Sequence, residues 1–89
     1  MSTKIKLPKW FDGHVGTKSE NITNLFTGES YMLKPEEVAM YDFVMGLQFV
    51  IDKRGGLLDP RTFPLQKELR KGLDWFRENN AKAYMVLLD

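Results

Sequence analysis

The chain has 89 residues, a formal net charge of +1 and no cysteine. That length holds one domain. The missing cysteines exclude disulfides, thiolate zinc sites and iron–sulfur clusters, and they point to a reducing compartment. Hydrophobic residues make up 43% of the chain, which fits an ordered globule and argues against disorder. The balanced charge is unlike that of a dedicated nucleic-acid domain.

Residues 1–9 read as a polar, flexible lead-in in which Pro8 opposes helix; residues 10–89 are expected to form a single small globular domain. Lys4 and Lys6 are followed by no long apolar stretch, so the opening is not expected to act as a signal peptide. No apolar run is long enough to span a bilayer. The expected location is the cytoplasm, with the Asn21-Ile22-Thr23 sequon unused. Trp10-Phe11-Asp12-Gly13-His14-Val15-Gly16 carries aromatic and β-branched residues with two helix-disfavouring glycines, so it is expected to be extended. Residues 17–21 read as a loop. Ile22 to Phe26 and Tyr31 to Leu33 flank Thr27-Gly28-Glu29-Ser30, an apolar–turn–apolar pattern that predicts a β-hairpin.

Lys34-Pro35-Glu36-Glu37 is a helix start. Proline suits the first helical position, and two glutamates suit the positive end of the helix dipole. The first helix is expected over 35–53, with Gly55-Gly56 ending it. Pro60 and Pro64 punctuate a connector, and a second helix is expected over 64–79. Asn80 caps a short third helix running to Leu88. The predicted fold class is α+β: an N-terminal β-hairpin or small antiparallel sheet packed on two main helices plus a short C-terminal helix.

At about 100° per residue the two main helices differ in kind. In the second, Leu65, Leu69, Leu73 and Phe76 make one narrow apolar stripe beside Gly72, opposite a polar face. In the first, Met40, Phe43, Val44, Leu47, Val50 and Ile51 make one broad apolar face. Val38, Tyr41, Met45 and Phe49 make another, roughly opposite. A helix apolar on two sides must be covered on two sides. Cover for the second face falls to Tyr84, Leu87 and Leu88, to the N-terminal aromatics, or to another subunit. Gly46, costly in mid-helix, makes sense where another backbone packs closely, within the chain or across a dimer axis. The expected partner is a second copy, as a homodimer or other homo-oligomer, with Val38, Tyr41, Met45 and Phe49 as the candidate interface.

The inventory for chemistry is thin. His14 is the single histidine, and beside it a metal site would find only carboxylates. Ser19 and Ser30 stand in no nucleophile-elbow pattern. Asp42 lies between the two apolar faces of the first helix and is expected to be partly buried, as a seam residue pairing with a nearby lysine or arginine. An ion pair across an interface is the alternative, and an acid–base role with His14 a distant third. No phosphate-binding loop is present. No catalytic residue, metal or cofactor is assigned, and the chain is not expected to be an enzyme. The alternative function is nucleic-acid binding through Lys67, Arg70, Lys71 and Arg77 on the second helix. Asp74 and Glu78 neutralise much of that face.

Two blocks carry a resemblance: Asn24-Leu25-Phe26-Thr27-Gly28-Glu29-Ser30 with Leu33 to Gly46, and Gly72-Leu73-Asp74-Trp75-Phe76-Arg77 with Ala83 to Asp89. With the opening Trp10-Phe11-Asp12-Gly13, they resemble a family of small uncharacterised proteins of marine bacteriophages, tailed cyanophages among them. The resemblance covers about two thirds of the chain and carries no catalytic signature. It implies a phage-encoded accessory protein working in the cytoplasm of an infected marine bacterium, with a host or phage protein as a further possible partner.

Overall fold

The computed structural model describes residues 6–88; the start of the expected lead-in, residues 1–5, lies outside them. The elements run β1 (Glu20–Thr23), β2 (Ser30–Leu33), α1 (Pro35–Lys53), a 3-10 turn (Pro60–Thr62), α2 (Phe63–Asn79) and α3 (Ala81–Leu87). The fold is α+β, as the hairpin and helix signals in the sequence predict.

β1 and β2 pair antiparallel, with Glu20 opposite Leu33 and Thr23 opposite Ser30. The first strand therefore starts earlier than its apolar residues suggest and stops before Leu25. Asn24 is the reason. Its side-chain oxygen accepts from the Phe26 amide at 2.9 Å, and its carbonyl accepts from the Gly28 amide at 2.7 Å. Such a side-chain-closed turn ends a strand. Gly28 takes φ +78°, as the tight loop demands. The Asn24 amide also donates to the Val86 carbonyl at 3.0 Å, tying the loop to α3. A two-stranded ribbon is marginal by itself; this one is held because Leu33, fully buried, enters the helical core.

Residues 10–16 do not form the expected strand. Trp10 and Phe11 instead place their rings 5.6 Å from that of Phe43 on α1. The Phe11 amide closes a turn on the Pro8 carbonyl. Packing two aromatic rings against a helix outweighs pairing this stretch of backbone. Leu7 packs on the same core, and the Lys6 carbonyl accepts from the Trp75 indole at 3.1 Å.

The main core joins Leu33, Val38, Met40, Trp75, Phe76, Ala83 and Leu87. A second cluster joins Val44, Ile51 and Leu69. Between them α1 crosses α2 at Gly72, where a β-carbon would stand 2.7 Å from Val44 Cγ2. The close approach belongs to Gly72 and not to Gly46, where an added β-carbon would meet nothing within 4 Å among the described residues.

Glu37 organises the helix junction. It is 2% exposed; its carboxylate accepts from the Lys34 amide at 2.8 Å and from the Asn80 side-chain amide at 2.7 Å. Asn80 in turn caps α3 by accepting from the Ala83 amide. One carboxylate thus closes the start of α1 and anchors the start of α3. After α1, Gly55 and Gly56 both adopt positive φ, and the Gly56 amide returns to the Ile51 carbonyl at 2.9 Å.

Candidate functional site

The four candidate residues on α1 separate in the structure. Val38 is buried in the main core, and Tyr41 packs half-buried against it. Burial, and then the adjacent Asp42 carboxylate, push the Tyr41 phenol above its ordinary pKa. Met45 and Phe49 are 41% and 63% exposed. The cover over this face therefore runs out one turn past Tyr41. Lys53 lies 5.4 Å from the centre of the Phe49 ring, over its face.

Beside Met45 the hairpin loop presents Leu25 and Phe26, 92% and 100% exposed. Thr23, Asn24, Leu25, Phe26, Tyr41, Met45, Gln48, Leu87 and Leu88 together line a groove of about 290 Å³ with no charged residue in its wall. The apolar patch is thus wider than the helical wheel indicates. Leu25 and Phe26 were legible only as a hairpin strand, and their exposure follows from the turn that Asn24 closes.

A second groove, of about 630 Å³, runs along α2. Its apolar wall comes from Leu57, Phe63, Leu69, Leu73 and Tyr84; Lys67, Arg70, Asp74 and Arg77 complete it. Three of the four basic candidates meet there. Lys71 does not line this groove: it pairs with Glu68 at 3.0 Å and sits over the Trp10 ring. Arg77 pairs with Asp74 and lies against the Tyr84 ring.

His14 and Asp42 line a third cleft, of about 310 Å³, with Lys18 and Glu20. Asp42 is exposed, contrary to its expected partial burial, because it lines this open cleft. Among the described residues neither side chain makes a hydrogen bond to the other, so no oriented acid–base pair is present. No cluster of three or more His, Asp or Glu suited to a metal ion occurs among the described residues. No helix among them is long and apolar enough to cross a membrane.

Comparison of the chain with known protein families, characterised proteins and solved structures finds no match.

Proposed function

We propose that this protein is a non-enzymatic interaction module that associates with itself through the outer face of α1. The observation that carries the proposal is the exposed Met45, Leu25 and Phe26 around one groove, with the exposed Phe49 one turn further along α1. These four side chains present roughly 500 Å² of apolar surface, near the upper end of what a monomer's largest patch carries. An equal area on a partner brings the total to roughly 1,000 Å², the lower bound for a specific interface. At ~25 cal/mol per Å², leaving the patch in water forgoes several kcal/mol, which is large beside the ~4–13 kcal/mol stability expected of a chain this size.

A nucleic-acid role for α2 has weaker support. The groove that gathers Lys67, Arg70 and Arg77 is floored with leucines and holds Asp74, and neither feature suits a phosphate backbone. The resemblance of the sequence blocks to marine phage proteins supports a phage accessory role in the host cytoplasm. That setting is compatible with a partner of phage or host origin at the same patch.

The test is the oligomeric state of Phe49→Asp and Met45→Asp. Each is expected to lower self-association while leaving the far-ultraviolet dichroism and the melting cooperativity of the subunit intact. Unchanged association in both variants overturns the assignment of the face.

A further inference from the structure

The apolar pair on α1 is bracketed by acid. On the helix, Asp42 lies about 20° beyond Phe49 on one edge and Asp52 about 20° beyond Met45 on the other. All four are exposed. The outer face of α1 is therefore an apolar stripe flanked by two carboxylates, with Lys53 over the Phe49 ring. On α2, Phe63, Lys67, Arg70, Asp74 and Arg77 follow one another at spacings of four, three, four and three residues, so they lie on one face along the axis. They border the leucine-floored groove. Phe63 is 52% exposed and Leu57, at the end of the groove, 62%.

The two surfaces carry complementary charges, and apart from the Arg77–Asp74 pair within the groove these have no ion-pair partner among the described residues: Asp42 and Asp52 make none, and neither do Lys67 and Arg70. The stripe with its carboxylates and the cation-edged groove therefore match in polarity and apolar content. α1 and α2 already cross in the core through their opposite faces at Gly72, so α1's outer stripe can meet an α2 groove only on another molecule.

We infer that the outer stripe of α1 seats in the α2 groove of a second copy, with Met45 and Phe49 against Leu57, Phe63 and the groove leucines. One acidic end of the stripe, Asp42 or Asp52, then faces Lys67 and Arg70, which stand a single turn apart on α2. This rests on self-association through α1 and names what that face meets. The contact joins two different surfaces, so it either closes in a reciprocal pair or propagates head to tail. Helix-in-groove docking with charged edges setting orientation is a common recognition mode.

The experiment is complementation between two disabled surfaces in the full chain, followed by sedimentation velocity from micromolar to hundreds of micromolar. Arg70→Glu disables the groove and leaves the stripe; Phe49→Asp disables the stripe and leaves the groove. Each variant alone is expected to lose at least tenfold in self-affinity. An equimolar mixture is expected to restore one-to-one pairing, because an intact stripe again meets an intact groove. High salt is expected to weaken the wild-type contact. Circular dichroism of each variant reports that the subunit remains folded; should Arg70→Glu fail that control, Lys67→Glu replaces it. Self-association of the groove variant at wild-type strength, or a mixture no better than its components, overturns the inference while leaving association through α1 standing. A wild-type chain that stays monomeric overturns both.

Discussion

Gly46 and Gly72 sit in mid-helix, and the same substitution at each is expected to act with opposite sign. Replacing glycine by alanine in a helix interior contributes about 1 kcal/mol by removing backbone freedom from the unfolded chain. At Gly46 nothing lies within 4 Å of the new methyl, so Gly46→Ala is expected to gain that amount. At Gly72 the methyl arrives 2.7 Å from Val44 Cγ2, where carbon atoms want roughly 3.5–4.0 Å. Val44 and Met40 beneath it are fully buried, so the helices must part by about 1 Å. Overpacking of this kind costs about 1–3 kcal/mol. The net for Gly72→Ala is then a loss of roughly 0–2 kcal/mol, and the two variants differ by about 1–3 kcal/mol. For a domain of this size each kcal/mol moves the melting temperature by roughly 4–8 °C. Urea titration followed by dichroism, repeated at several protein concentrations to remove any contribution from association, measures both. Val44→Ala alone deletes buried methyls at a cost of about 2 kcal/mol. In the Gly72→Ala background it is expected to cost at least ~1 kcal/mol less. Equal stabilisation by both glycine replacements, or strict additivity of Gly72→Ala with Val44→Ala, refutes the crossing as described.

Three further outcomes are expected. Glu37→Gln keeps the shape but places an amide donor opposite the Lys34 or Asn80 donor, so a loss of about 1.5–3 kcal/mol is expected in urea titration. A near-silent Glu37→Gln would remove Glu37 from its role at the junction. The Arg61 side chain and then the Arg61 backbone amide, both donating to Asp59, hold that carboxyl at about 2, below its ordinary 3.8. Its folded-state pKa is depressed, so its contribution to stability is present above pH ~4 and is lost as pH falls toward about 2. Asp59→Asn is expected to flatten the acid limb of the stability curve in that window, and an unchanged limb contradicts the assignment. Fluorescence anisotropy of a labelled oligothymidylate at low salt is expected to report no saturable binding. Binding that Arg70→Glu abolishes would transfer the α2 groove to nucleic acid.

The helices were legible in the sequence because their signals are local. Pro35 and Glu36 start α1, Gly55 and Gly56 stop it, and Asn80 caps α3. The hairpin was legible from Gly28, but its register was not. In a ribbon with one face in water, Glu20 and Asn21 carry no apolar alternation to mark them as strand. Trp10 and Phe11 read as strand residues because composition does not distinguish a ring that pairs along a sheet from one that lies on a helix. The bridge from Glu37 to Asn80 spans 43 residues, and no spacing rule reaches that far. Trp75 fell outside the stripe assigned to α2, yet its ring is buried and its indole tied to Lys6. The doubly apolar character of α1 was visible as a periodicity. Which half its own chain covers depends on tertiary docking, which a periodicity along one helix does not report.

The most direct test of self-association through α1 is the mass of the wild-type chain in solution across a concentration series. Sedimentation equilibrium is expected to show a concentration-dependent rise above the 10.4 kDa of one chain, shifted to at least tenfold higher concentration in Phe49→Asp. A constant single-chain mass up to hundreds of micromolar would contradict it.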